Sequence, residues 1–296
     1  MLGGSMVALV TPMNEDGSIA YETLDRLVEF HIDNQTDALV VAGTTGESAT
    51  LTVEEHCAVM ARVINKVNQR IPVIAGTGAN ATTEAIALTQ QAKTLGADAV
   101  LLVAPYYNKP TQQGLYLHYK AIAEAVSIPQ ILYNVPGRTA SDILPETVAK
   151  LSALDNIIGI KEATGEISRI EKIKQLLEGE FAFYTGEDSN TVDFIAAGGA
   201  GVISVTANVA PKAMSEMCLA ALNGQWQRAR EINSELAALH QNLFIESNPI
   251  PVKWALHQMQ LITLGIRLPL TVLSEHCHST VLDALAQANI NSFRSE

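Results

Sequence analysis

The sequence is short of cysteine, of aromatic residues and of positive charge. Its 296 residues include three cysteines, Cys57, Cys218 and Cys277. They are odd in number and far apart, which argues against a disulfide framework and suits a reducing compartment. None falls at the end of an apolar run, so none is expected to be catalytic. Basic residues number 19 against 31 acidic ones, a net charge of −12. Such a field repels nucleic acid and anionic membrane, which are recognised through basic patches. No block of like charges forms a tail. No apolar run reaches the roughly 18 residues of a bilayer-spanning helix. Met1 to Ser5 carry no basic residue, so the start does not read as a secretory signal. Charged residues make up only 17% and apolar ones 48%. That is enough for a large core and too apolar for a disordered chain. A soluble, cytoplasmic protein of α/β or α+β type is expected.

What the chain does contain is a regular alternation. Eight short apolar runs recur: 6–10, 38–42, 72–75, 99–103, 130–133, 157–160, 181–184 and 201–205. Each is too short for an ordinary helix, and several are rich in Val and Ile, as buried strands are. Their near-continuous apolarity suits a parallel sheet covered by helices. Amphipathic stretches lie between them, at 21–34, 53–69, 82–95, 145–151, 167–177, 188–197 and 211–222. Gly96 is a natural stop for the third, and Pro opens two others. Eight βα units in a row predict a (β/α)8 TIM barrel over residues 1–224. A doubly wound open sheet is the alternative, but no Gly-rich dinucleotide turn follows the first strand. Residues 225–296 read as a C-terminal helical appendage of three helices, 226–243, 252–261 and 275–288.

In such a barrel the chemistry sits at the C-terminal ends of the strands. The polar residues found there are the informative ones. Lys161 alone among ten lysines ends an apolar run. Period-2 alternation places it on one face with Gly159 and Ile157. Burial there would lower its pKa and free an amine nucleophile for a Schiff base. A lysine snorkelling from the strand end, or paired with Glu162, is the competing reading. Tyr133 ends the preceding strand and could exchange protons with an imine, or could simply be a core tyrosine. The 43–48 turn offers backbone amides and the hydroxyls of Thr44 and Thr45 to a carboxylate or phosphate. It could equally serve the next helix, where Thr52 and Glu55 fit a capping box. Arg138 follows a Pro-Gly loop and suits a carboxylate, unless it is an ordinary surface arginine.

Two other signals are discounted. His276, Cys277 and His278 are consecutive on a helix and should point apart, so a shared metal is not expected. The Gly-rich stretch 198–201 precedes the eighth strand, which puts it on the face opposite the chemistry. Gly186-Glu187-Asp188 places two acids after the seventh strand, against a phosphate-gripping isomerase. No Ser/His/Asp set, Walker loop or Mg²⁺-binding acid cluster presents itself.

Taken together, Gly43-Thr44-Thr45-Gly46-Glu47, Tyr133-Asn134-Val135-Pro136-Gly137-Arg138-Thr139 and Gly159-Ile160-Lys161-Glu162 resemble the 4-hydroxy-tetrahydrodipicolinate (dihydrodipicolinate) synthase family. This is a branch of the class I pyruvate-dependent aldolase/lyase superfamily. The likeness runs through Gly201–Val209 to Asn248-Pro249-Ile250-Pro251-Val252-Lys253. The Arg138 loop separates this branch from N-acetylneuraminate lyases. The resemblance implies condensation of pyruvate with L-aspartate-4-semialdehyde, on the route to diaminopimelate and lysine. It implies Lys161 as the imine-forming residue and Tyr133, Thr44 and Tyr107 as a proton relay, Tyr107 reaching into a neighbouring subunit. Thr45, Gly186 and Ile203 would hold pyruvate, and Arg138 the carboxylate of the semialdehyde. Neither metal nor organic cofactor is implied, and a homotetramer built as a dimer of tight dimers is. Ser48, His56, Asn80, Glu84 and Tyr106 match a site where lysine inhibits many members, but Val53 stands where sensitive members often carry His. Another pyruvate aldolase, cleaving sialic or keto-deoxy sugar acids, is the alternative within the superfamily. A silent ligand-sensing barrel is the alternative outside it.

Overall fold

The computed structural model describes residues 2–290, so Met1 and the end of the expected C-terminal appendage, 291–296, lie outside the described residues. Eight strands form a closed parallel barrel in sequence order. They are β1 (Gly4–Ala8), β2 (Ala38–Val41), β3 (Val73–Gly76), β4 (Ala99–Val103), β5 (Gln130–Asn134), β6 (Ile157–Glu162), β7 (Ala182–Thr185) and β8 (Gly201–Ser204). Closure is made by β1 beside β8, with Met6 opposite Ile203. The eight expected runs are these strands, displaced at most by two residues, as in β1.

The barrel is ringed by α1 (Tyr21–Asp33), α2 (Val53–Val67), α3 (Thr82–Leu95), α4 (Gln112–Ala125), the single turn α5 (Pro136–Thr139), α6 (Pro145–Ser152), α7 (Ser168–Lys174), α8 (Thr191–Ala196) and α9 (Pro211–Leu222). The stop and start signals act as expected. Thr52 and Glu55 form a reciprocal capping box at the start of α2. Gly96 closes α3 in the left-handed region, φ 92°, where a side chain would be strained. Sequence periodicity did not single out α4, whose stretch 112–125 mixes Gln, Gly and Tyr among its apolar positions. The structure nonetheless buries Leu115, Tyr119 and Ile122 on one face of it.

Alternation along the strands divides the core in two. Val7, Leu39, Leu132 and Ile160 face the helices. Met6, Ala8, Val40, Leu101, Ile131, Tyr133, Tyr184 and Ile203 fill the barrel. In β6 the alternation slips. Gln130 pairs with Ile157 but Ile131 pairs with Gly159, an irregularity that leaves one residue extra in β6. Ile157 therefore packs in the outer core while Ile158 leans on the inner one. The expectation that Lys161 shares a face with Ile157 is corrected: the bulge reverses the phase below Gly159.

Three helices follow the barrel: α10 (Trp226–Asn242), α11 (Ile250–Gln258) and α12 (Glu275–Gln287). α10 lies along α9 and α12, burying Ala229, Ile232, Leu236 and Leu239. Such Leu and Ile side chains contribute about 2 kcal/mol each when fully buried. α11 is buried at every position from Ile250 to Leu256, Lys253 included. A helix enclosed on all sides is lodged inside the structure rather than laid on its surface. No helix among the described residues is long and apolar enough to cross a membrane.

Candidate active site

The C-terminal ends of the strands close around a cavity of about 90 Å³. Its wall includes Thr44, Thr45 and Ser48 from the turn after β2, Tyr133 from β5, Arg138 from α5, Lys161 from β6, Gly186 after β7 and Ile203 from β8. Seven of the eight residues expected to act on substrate are thus in one place. The cavity lies where strand ends leave side chains unpaired and backbone amides free.

Lys161 and Tyr133 are register partners on adjacent strands. The Lys161 ammonium nitrogen lies 4.3 Å from the centre of the Tyr133 ring. Lys161 is only 6% exposed. Among the described residues no carboxylate lies within ion-pair distance of it. Its neighbour Glu162 points to the other side of the strand. There it accepts from Arg169 Nε at 2.9 Å, Asn134 Nδ2 at 3.1 Å and the Thr164 amide at 3.1 Å. Burial pushes the Glu162 carboxyl up, and Arg169 pulls it back. The competing idea that Lys161 pairs with Glu162 is therefore excluded by alternation: one side chain faces the barrel, the next faces α7. What remains is a buried amine against an aromatic face, next to space for a small carbonyl compound.

The turn carrying Thr44 and Thr45 is held from several sides. Thr11 Oγ1 donates to the Gly46 carbonyl at 2.7 Å, and Asn248 Nδ2 donates to Thr45 Oγ1 at 2.9 Å. Glu47 adopts φ 57° and pairs with Lys253. Arg138 is exposed on the rim, its Nη2 3.4 Å from the Asn248 carbonyl. Two wall residues carry polar groups that sequence reasoning did not assign to the site, Glu187 and Asn248. Burial, then Asp188, push the Glu187 carboxyl up; Lys161 and Arg138 act against them. The position of Glu187 directly after the seventh strand was the signal available for it. Asn248 arrives from the far end of the chain, and nothing local announces it.

Tyr107 does not join this wall. It is 89% exposed, in the left-handed region at φ 76°. A bulky residue so placed is uncommon. Ser48, His56, Glu84 and Tyr106 line an adjoining cleft of about 500 Å³ together with Val53. Thr44, Arg138 and Asn248 belong to both spaces. Asn80 is not on that cleft's wall, but its Nδ2 donates to the Tyr106 carbonyl at 3.2 Å. His56 Nε2 lies 2.7 Å from the Gly76 carbonyl, and burial lowers its pKa from the ordinary value.

The three cysteines are free and line neither space. Burial pushes the Cys218 thiol well above its usual range. The C-terminal helix requires one correction. His276 and Cys277 do not point apart: with Glu246 they bring ligand atoms within 4.8 Å of one another. Successive helix positions differ by about 100°, a separation that flexible side-chain tips can span when a third group, here Glu246, approaches from outside the helix. His278 does turn away, stacking on Trp254 at 4.4 Å between ring centres. His276 is exposed and sits in the first turn of α12, where the helix dipole disfavours a cation. The Gly198-Gly199 pair lies before β8, off the cavity wall, with Gly198 at φ 92° in a turn.

Comparison with known proteins gives a single direction. The model of the dihydrodipicolinate synthetase family matches residues 1–288. The 4-hydroxy-tetrahydrodipicolinate synthase of Methylococcus capsulatus is 61% identical over 290 residues, covering 98% of this chain and 100% of that one. A crystal structure of the chloride-inhibited dihydrodipicolinate synthase of Acinetobacter baumannii, in complex with pyruvate, superimposes with a TM-score of 0.97. It is 54% identical and covers 98% of this chain and 100% of that one. The Cyanidioschyzon merolae enzyme with lysine bound superimposes with a TM-score of 0.94 at 37% identity, covering 98% and 99%.

Proposed function

This chain belongs to the dihydrodipicolinate synthetase family, and we propose on that premise how its barrel cavity condenses pyruvate with L-aspartate-4-semialdehyde. The observation that carries the reading is Lys161: a buried amine with no carboxylate at ion-pair distance among the described residues, set against Tyr133 on the wall of the strand-end cavity. The Lys161 nitrogen adds to C2 of pyruvate, and the carbinolamine loses water to give an imine. The imine acidifies the methyl group, whose proton leaves to form an enamine. The enamine carbon attacks the aldehyde carbon of the second substrate. The amine of that substrate then displaces Lys161 from C2, closing the six-membered ring of 4-hydroxy-tetrahydrodipicolinate and freeing the enzyme.

Tyr133 is the acid and base at the proton steps, and Thr44 relays the proton onward. Thr45, Gly186 and Ile203 hold pyruvate, and Arg138 on the rim receives the carboxylate of the semialdehyde by a bidentate contact. Both substrates are anions in an acidic protein, so Lys161, Arg138 and the oriented amides must dominate the local field.

Tyr107 completes the relay in a neighbouring subunit of a homotetramer. Its exposure and its φ of 76° support this, because a partner is what would cover it. The cleft around His56, Glu84 and Tyr106 is read as a place for lysine as inhibitor. Val53, 53% exposed at its edge, weakens recognition there because it offers no polar group. A coupled assay tests the activity: consumption of pyruvate together with aspartate semialdehyde is expected, and cleavage of N-acetylneuraminate is not. The reverse pattern would make the chain a sugar-acid lyase.

A further inference from the structure

Lys253 is the one charged residue in the buried stretch of α11, 3% exposed and remote in sequence from every catalytic position. It meets Glu47, itself 3% exposed, in an ion pair. The second Glu47 oxygen accepts from the Arg267 amide at 3.3 Å. The Arg267 guanidinium in turn holds Glu55 through two bonds of 2.6 Å at the start of α2. Just before α11, Asn248 holds Thr45. The segment that follows the barrel thus grips the 43–48 turn at Thr45 and Glu47, on either side of Gly46.

We propose that Lys253 is a positioning residue: its ion pair with Glu47 sets Thr44 and Thr45 against Lys161 and cancels a carboxylate that would otherwise face an anionic substrate across the turn. Four features support this. Glu47 is held in the left-handed region, which residues other than glycine adopt infrequently. An ion pair removed from water is kept only where its partners are fixed. Lys253 does not line the strand-end cavity, so it cannot compete with Lys161 as the imine-forming amine. Burial lowers its pKa, which Glu47 opposes, in keeping with a charge retained only through its partner. The C-terminal helices are then part of the catalytic apparatus rather than a covering of the barrel.

The inference rests on the pyruvate reading of the cavity, and the test separates the two. Wild type, Lys253→Met and the paired variant Glu47→Gln/Lys253→Met are titrated with pyruvate. The rate and half-saturation of borohydride-trapped adduct are followed at several salt concentrations. Thermal melting identifies any variant that does not fold. The paired variant buries no unpaired charge and so keeps the test open if the single variant unfolds. In the paired variant the trapping rate is expected to fall about tenfold, from loosened placement alone. In Lys253→Met the half-saturation is expected to rise as well, by about tenfold, and to change little with salt, because the bare carboxylate lies out of reach of mobile ions. A folded paired variant that traps pyruvate at the wild-type rate would overturn the positioning role. Failure of the wild type to form any adduct would instead overturn the reading of the cavity.

Discussion

Gly186 offers the sharpest perturbation of the site, because a single methyl group there aims at the nucleophile. A Cβ built on Gly186 would lie 2.9 Å from Lys161 Cε and 2.7 Å from Ala163 Cβ. Ordinary contacts between carbons begin near about 3.5 Å. The end of Lys161 must therefore retreat by roughly 0.6 Å, and Ala163, just past β6, must move by about 0.8 Å. Gly186 is outside the left-handed region, so alanine meets no backbone strain there. The Gly186→Ala change is thus a steric push on the amine. Misplacing a reacting group by about 1 Å costs on the order of a hundredfold. A displacement of about 0.6 Å then corresponds to roughly a ten- to thirtyfold loss in kcat, or about 1.4–2 kcal/mol of barrier. Overpacking should also cost stability, by about 1–3 kcal/mol. Steady-state kinetics and the pre-steady rate of pyruvate imine formation measure the first effect, and urea unfolding the second. A folded Gly186→Ala protein that forms the imine at the wild-type rate would refute the placement of Lys161 beside Gly186.

Three further outcomes are expected. Tyr107→Phe and Lys161→Met proteins should each be nearly inactive, and mixing them under subunit exchange should restore about a quarter of wild-type sites if Tyr107 acts across an interface; no recovery would place Tyr107 outside the neighbour's site. Arg138→Leu should raise KM for aspartate semialdehyde by about tenfold or more while leaving pyruvate trapping intact; an equal loss in both would remove Arg138 from semialdehyde binding. His31 is buried with Nδ1 3.1 Å from Thr36 Oγ1, and burial lowers its pKa to about 3. The unfolded chain binds that proton near its ordinary value of about 6.5, so His31 leaves stability undiminished above that pH and erodes it as pH falls towards 3. Urea midpoints from pH 7 to pH 4 should decline less steeply in His31→Gln than in wild type, and identical slopes would contradict this.

Much of the site could be read from the sequence because a parallel barrel converts chain order into position. Each strand ends at the same rim, so Lys161, Tyr133, Thr44 and Gly186 needed only a strand boundary to be brought together. The boundary errors of one or two residues did not matter for that reason. Ile157 was misplaced because a one-residue bulge in β6 reverses an alternation that spacing assumes unbroken. Asn248 and Lys253 were beyond local reasoning. Their roles depend on a contact spanning 203 and 206 residues, which no periodicity encodes. His276 and Cys277 show the limit of helical spacing at a helix start, where loop residues such as Glu246 share the space.

Covalent capture of pyruvate tests the central claim most directly. The protein is incubated with pyruvate, reduced with borohydride, digested and mapped by mass spectrometry. One adduct per chain is expected, on the peptide carrying Lys161, and none in Lys161→Met. An adduct on Lys253 or on a surface lysine, or none at all under turnover conditions, would contradict the assignment of Lys161 as the imine-forming residue.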